Sequence, residues 1–547
     1  MLRLSEEKLP LDHSEADLEH AIFARLQLRP GELKTWRIFR RGCDARKKRA
    51  IALVYTLDVE LADGVDEAEV LARREGDLRV GVTPDFSYRP PAPVRKGETR
   101  RPVVVGAGPC GLFAALLLAE AGCRPILLER GCTVRDRARE TWKLWRHGAL
   151  SPEANVQFGE GGAGTFSDGK LSSHIRDPRH LGRHVLETFV RAGAPPEILF
   201  LSKPHIGTFR LVKVVENLRA RLLALGAEIR FQSRVDAFLL EEKSGARQIA
   251  GVRLENGEAL ESRQVILAIG HSARDTFAAL RAQGVCLEAK PFAIGVRVEH
   301  PQSLIDRARF GDFAGHPRLG AADYKLTHQT AAGRAVYSFC MCPGGQVVAA
   351  ASEEGGVVTN GMSQYSRAER NANSALVVDV RPGRDFPDAP LDGIAFQRQW
   401  ERAAYQAGGG GYRAPAQLLG DFLAGRPSRR LGNVLPSYQP GILLTDLSLC
   451  LPPEVVAALR EAIPVFARKI PGYDRNDALL TGVETRTSSP LRVLRDPVCL
   501  ESVNTRGLYP AGEGAGYAGG ILSAAVDGVR AAEAALAALR DAPPQPD

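Results

Sequence analysis

The run Val103-Val104-Val105-Gly106-Ala107-Gly108-Pro109-Cys110-Gly111-Leu112 constrains this chain more than any other feature. An apolar strand leads directly into G-x-G-x-x-G, and a helical pattern continues from Gly111 to Ala121. Each glycine has its own reason in a βαβ unit. Gly106 permits the tight turn, Gly108 lets backbone approach a pyrophosphate, and Gly111 lets helix and strand pack closely. The helix start then offers unpaired N–H groups and the positive end of its dipole to phosphate. A second apolar strand, Pro125–Glu129, ends in an acid eighteen residues after Gly111. A carboxylate there accepts both ribose hydroxyls of an adenosine and repels a 2′-phosphate. The fingerprint with strand, helix and acid in register predicts an adenine-dinucleotide site that includes Glu129 and the neighbouring Arg130.

Three further features favour FAD over NAD. Residues 249–270 read as a hairpin around Asn256-Gly257, then an apolar strand ending in Ala268-Ile269-Gly270. Residues 508–521 place Glu513 and a glycine turn just before an Ala-rich helix from about Ile521 to Arg540. Residues 158–170 form another glycine-rich loop. Only one dinucleotide fingerprint is found. A separate NAD(P) domain is therefore not expected, and an NAD(P)H donor, if used, binds without its own Rossmann unit.

On these motifs, residues 101–540 resemble the glutathione-reductase-type FAD superfamily. There a strand ending in Ala-Thr-Gly precedes a crossing between domains; here Ile269 stands in place of Thr. The resemblance implies that Gly512-Glu513 places its acid on the ribityl chain. It also implies that the helix start near Gly519-Gly520-Ile521 faces the flavin O2/N1 edge. Reduced flavin carries negative charge at N1, so a helix N-terminus suits it. The whole chain is similar to a family of bacterial FAD-dependent dehydrogenases. The shared segments are Asp44–Lys48, 159–171, 203–208, 290–301, 358–363, 484–490 and 510–528. The implied cofactor set is Gly106, Gly108, Pro109, Cys110, Gly111, Glu129, Arg130, Gly162, Ala163, Gly164, Val235, Gly270, Gly512, Glu513, Gly519, Gly520 and Ile521.

The expected fold is α/β: a Rossmann-like FAD-binding domain with an inserted substrate domain and an N-terminal ferredoxin-like α+β module. Residues 1–83 form the module. Ser14 and Asp17 cap a helix carrying Leu18, Ile22 and Leu26. Strands follow near Thr35–Arg41 and from Ile51 to Leu61, the latter with period-2 alternation. Residues 84–100 are a Pro-rich linker. The FAD domain takes 101–289 and 491–541, the substrate domain 290–490, and 542–547 is a tail.

Composition bounds the function. Net charge is +8, from 72 basic and 64 acidic residues, which suits an anionic small molecule and does not argue for nucleic acid. The basic run Lys34–Arg49 leaves an alternative open, a flavin-containing RNA-binding or RNA-modifying protein, although nearby acids can neutralise it. No stretch reaches the ~18 apolar residues of a membrane span. The charged start predicts no secretory leader. Nine scattered cysteines show no zinc spacing, so no metal site and a reducing cytoplasm are expected.

The hydride chemistry belongs to flavin; the protein supplies position and electrostatics. Candidates for the catalytic part are Lys170 on the glycine loop, Glu484 and Arg486 at period-2 spacing, and Cys340 with Cys342. The two cysteines point the same way on a regular strand, but so small a disulfide ring is strained. They read more simply as packing. His205 and His271 read as structural histidines.

Overall fold

A computed structural model describes all residues except 95–100, 174, 244 and 542–547. The tail and part of the linker therefore lie outside the described residues. The N-terminal unit runs β1 (Leu2–Pro10), α1 (Glu15–Leu26), β2 (Leu33–Asp44), β3 (Ala52–Leu61), α2 (Glu67–Ala72) and β4 (Val80–Val82). Its strands lie in the order β2-β3-β1-β4, every neighbour antiparallel. Ser14 and Asp17 form the expected capping box at the start of α1. The unit is docked rather than dangling. Arg41 N–H donates to Phe200 O at 2.6 Å, and Ser202 N–H to Arg41 O at 2.9 Å.

The dinucleotide pattern builds a parallel sheet. β5 (Val103–Val105) pairs with β6 (Ile126–Leu128) on one side and with Val265–Leu267 on the other. Leu508–Pro510 and β7 (Glu228–Arg230) complete five strands. Val103–Val105 and Val265–Leu267 are uniformly apolar because they are buried on both faces. The helix α3 (Pro109–Glu120) is also apolar all round, with its residues from Cys110 to Ala119 buried. It packs on the C-terminal helix Ile521–Asp541. Gly528 makes this possible: a Cβ there would stand 2.1 Å from Cys110 O.

Strands Val235–Lys243, Ala246–Leu254 and Ala259–Glu261 form a separate antiparallel sheet. Its Asn256-Gly257 turn has Gly257 at φ +88°. Residues between 292 and 484, with the outer strand Thr327–Gln329, supply a seven-stranded sheet. Its central strands Phe292–Pro301 and Asn371–Val380 are almost wholly buried. The strand Ala335–Cys342 bulges between Phe339 and Cys342. Among the described residues, no helix is long and apolar enough to cross a membrane.

One buried ion pair pins the returning C-terminal segment to this frame. Arg495 donates to both oxygens of Asp527 at 2.7 and 2.9 Å and to Pro510 O at 2.7 Å. Asp527 also accepts the Gly512 N–H at 2.8 Å. Asp527→Ala strands a buried guanidinium and should cost about 3–5 kcal/mol. The double variant Arg495→Met/Asp527→Leu should cost less. Denaturant unfolding of the three proteins checks this ordering.

Candidate cofactor and substrate cleft

The cleft begins at the carboxyl end of β5. The Gly106 N–H donates to Leu128 O at 2.7 Å, and the turn then swings into α3 with Gly108 as its N-cap and Pro109 in the first turn. Gly106 has φ +104°, and a Cβ on it would lie 2.4 Å from Ala268 O. A Cβ on Gly111 would lie 1.8 Å from Gly106 O. These two glycines are dictated by the chain's own packing. Gly108 is different. Its nearest neighbour to an added Cβ is Gly162 Cα at 3.7 Å, an ordinary contact. The protein itself tolerates a side chain there, and its own packing leaves the space in front of the helix open.

The second glycine loop closes over this turn. A Cβ on Gly162 would meet Gly108 Cα at 2.9 Å, and one on Gly164 would meet Ile521 Cγ1 at 2.7 Å. Turn, loop and C-terminal helix start are thus brought together, with Ala163 between them on the cleft wall. Arg137 holds the loop's shape. Fully buried, it donates to the carbonyls of Asn155, Val156, Gly159, Glu160 and Gly162 at 2.8–3.2 Å. Burial lowers its pKa to about 10, so it stays charged at neutral pH.

Glu129 lines the cleft but does more than expected. Its carboxylate accepts the N–H groups of Ala107 at 2.8 Å and of Gly131 and Gly159 at 2.9 Å. Of roughly four acceptor positions on a carboxylate, three are therefore taken by backbone. It ties the turn to the glycine loop and retains capacity for one further donor rather than two free oxygens. Arg130 lies beside it, paired with Glu153 and Asp275 and stacked 4.1 Å over Phe158. Val235 and Arg234 continue this wall; Arg234 pairs with Asp275 and Glu255.

A second group of side chains faces the same cleft: Lys170, Phe339, Cys340, Asn360, Glu484 and Glu513. Glu484 is bidentate with buried Arg297 at 2.9 and 3.1 Å. Arg486 does not pair with it. Its guanidinium bonds Glu401 at 3.0 Å and the hydroxyls of Ser272 and Ser352. Arg486 therefore reaches the cleft already bonded to Glu401, a carboxylate it shares with Arg274. Asp168 is likewise bidentate with Arg367 at 2.9 and 2.5 Å. Lys170 Nζ stands 3.9 Å from that satisfied Asp168. It is a cleft cation with little internal neutralisation.

Burial pushes the Glu513 carboxyl up to about 7, against the opposing Gly520 N–H and Lys290 cation. Burial also pushes the His271 imidazole down to about 3, so that it is neutral, and lowers His205, whose ring nitrogen meets Tyr365 O at 3.0 Å. Gly270, Gly520, Cys110 and Ile521 line the cleft. Gly111, Gly512, Gly519 and Cys342 stand behind or beside it. A Cβ on Gly512 would strike Cys110 Cβ at 2.9 Å. The basic N-terminal run is partly neutralised: Lys34 by Glu60 and Asp63, Arg37 by Asp58, Arg46 by Asp44.

Sequence reasoning passed over Arg137, Arg297, Arg367, Phe339 and Asn360. Arg297 and Asn360 sat in motif segments, but nothing in spacing says which buried carboxylate an arginine meets. Phe339 carries a visible signal after the fact, an aromatic at 37% exposure in a wall of buried strands.

Glu513 makes stability depend on pH in a defined direction. Its folded value of about 7 lies above the ordinary 4.5. Between those values the folded chain holds more protons than the unfolded one, so stability falls as pH rises through that window. In Glu513→Gln this fall should be smaller. Thermal midpoints of the ligand-free protein from about pH 5 to about pH 8 check it.

Comparison with known proteins agrees with this geometry. A family described as an FAD-dependent protein, C-terminal domain-like, matches residues 291–487, and an FAD binding domain matches 101–141. A domain of unknown function matches residues 1–60. Among solved structures, the L-amino acid deaminase from Proteus vulgaris is 12% identical, with a TM-score of 0.36 over 83% of this chain and 96% of its own. CtdE in complex with FAD is 13% identical, with a TM-score of 0.29 over 80% and 83%. An uncharacterized protein of Clostridium beijerinckii is 47% identical over 536 residues, 97% of this chain and 98% of the relative. FAD is the cofactor, and the chain belongs to the family of FAD-dependent proteins that includes this clostridial relative.

Proposed function

We propose that this protein is an oxidoreductase that transfers a hydride between FAD and a small organic molecule carrying an anionic group. One observation carries this reading. A single cleft joins the glycine cradle to the group containing Lys170, Phe339 and Asn360. The cradle fits FAD because Gly108 leaves room that the protein's own packing does not use, beside N–H groups of a helix start. Gly106 to Gly111 with Gly162–Gly164 would hold the pyrophosphate, Glu129, Arg130 and Val235 the adenosine, and Glu513 with Gly520-Ile521 the flavin side. This is a glutathione-reductase-like arrangement. When bound, FAD supplies the hydride chemistry. The chain's residues do the rest. Lys170 binds the substrate's anionic group, Phe339 covers its apolar part, and Glu513 is poised to hold or give a proton near neutral pH. The start of the C-terminal helix stabilises negative charge by about 0.3–1 kcal/mol.

We read residues 1–83 as a ferredoxin-like module, which the β2-β3-β1-β4 order and its two helices support. Residues 101–289 and 491–541 are read as the FAD domain and 290–490 as the substrate domain. The origin of the parallel and seven-stranded sheets in those ranges supports the division. The N-terminal cations are read as a solvated face, since carboxylates meet several of them.

The cradle is tested by two neighbouring glycines. Gly108→Ala should fold like the parent and lose FAD affinity at least about tenfold, or ~1.4 kcal/mol. Gly111→Ala should fail to form the domain, because its Cβ meets backbone at 1.8 Å. Equilibrium FAD binding and thermal unfolding separate the two. A Gly108→Ala protein with undiminished FAD affinity would overturn the placement.

The reaction is tested by anaerobic titration of the holoprotein with NADH, NADPH and a metabolite panel of carboxylates and matched neutral compounds. Carboxylates should exchange electrons with the flavin. Lys170→Met should raise the concentration they require by about 10- to 100-fold, the worth of a charge-assisted hydrogen bond of about 1.5–3 kcal/mol. Equal response to neutral analogues, or no effect of Lys170→Met, would sink the anionic-substrate reading.

A further inference from the structure

Cys340 and Cys342 do not occupy a regular strand. On ideal pleated backbone, residues two apart are about 6.6–6.8 Å apart, near the limit for a disulfide. Here the strand bulges between Phe339 and Cys342, and Cys340 takes a left-handed φ of +44°. That conformation is uncommon for a residue with a side chain. It folds the segment so that the buried Cys342 thiol turns back onto the Cys340 backbone. The Cys342 thiol lies 3.3 Å from Cys340 O, and buried Arg297 donates to that same carbonyl at 2.9 Å. The bulge is therefore held in place from the strand Phe292–Pro301, two over in the sheet.

The two sulfurs are not equivalent. Cys340 faces the cleft, whereas Cys342 is fully buried behind it. The Cys342 hydrogen bond, with Lys170 and Arg297 nearby, draws the Cys340 thiol well below its ordinary value despite burial. Buried Cys110 and Cys450 move the other way because burial dominates there. Plain packing explains neither the strained backbone nor the cations. It also leaves unexplained a sulfur presented to the same cleft as Glu513 and Gly520.

We infer that Cys340 and Cys342 are a redox pair of the FAD cleft, cycling between dithiol and disulfide with the bound FAD as two-electron partner. The inference rests on the proposed use of this cleft for electron transfer. In the oxidising direction both S–H bonds break and one Sγ–Sγ bond forms. Two electrons and one proton pass to FAD, and the second proton leaves to solvent. In the reducing direction the pair takes two electrons from reduced FAD and two protons, one of them from solvent. Cys340 is the member open to exchange with a thiol or disulfide in the cleft, and Cys342 closes the ring behind it.

The test uses the holoprotein, equilibrated anaerobically in graded mixtures of reduced and oxidised dithiothreitol. It is then quenched in acid, alkylated and read by peptide mass spectrometry. The peptide holding both cysteines should switch as a unit, from doubly alkylated to unalkylated and lighter by two hydrogens. Dithionite titration of the oxidised holoprotein should consume four electrons per chain, against two in Cys340→Ser and Cys342→Ser. A peptide that stays doubly alkylated at every ratio overturns the inference, as does a parent protein that stops at two electrons. Both wild-type readings decide it even if a serine variant fails to fold. A protein that shows the paired switch while no metabolite or nicotinamide donor reduces its flavin would sink the hydride reading and leave the thiol pair standing.

Discussion

The structure depends on a backbone contact that admits no side chain. Gly111 and Gly106 approach so closely that a single methyl would collide with a carbonyl oxygen at 1.8 Å. This brings α3 directly onto the parallel sheet and leaves its first N–H groups facing outward at the sheet's carboxyl edge. In open parallel sheets that edge is where ligands sit. Everything else in the cleft is arranged around this turn. Glu129 ties it to the glycine loop through three backbone N–H groups. Arg137 holds the loop, and Gly528 lets the C-terminal helix reach Cys110.

A second theme is the number of arginines spent on positioning. Arg297 with Glu484, Arg486 and Arg274 with Glu401, and Arg367 with Asp168 are charge pairs with little or no solvent access. Such pairs add little net stability, because removing two charges from water costs about what their attraction returns. Their effect is geometric. Each fixes a side chain on the cleft wall and offsets part of its charge, so that groups with less complete partners stand out in the field inside. Lys170 and Glu513 are those groups in the region that joins the two sheets.

The left-handed Cys340 belongs to the same logic. Strained backbone persists where surrounding structure over-determines it. Here the Arg297 hydrogen bond and the bulge supply that constraint. The strand that forms the cleft wall thereby presents a sulfur and an aromatic ring, Phe339, where regular pleating would alternate them across two faces.

Local signals determined much of this protein. The G-x-G-x-x-G turn, the apolar strands on either side of it, the Asn256-Gly257 hairpin and the Ser14 cap are each written in a few adjacent residues, because backbone sterics and short-range hydrogen bonds decide them. The glycine loop at 159–164 and the turn before Ile521 were legible as places where backbone must approach something. Partners were not legible. Period 2 placed Glu484 and Arg486 on one face, yet one meets Arg297 and the other Glu401, 85 positions before it. Glu129 was readable as an acid at a strand end, but two of its three backbone donors, Ala107 and Gly159, come from segments that only folding brings together. The same holds for Cys340 and Cys342. Their spacing was read on a regular strand, and the bulge and left-handed Cys340 between them come from contacts with another strand. Sequence separation hides such contacts because the energy that selects them, burial of charge and close packing, exists only once distant segments share one interior.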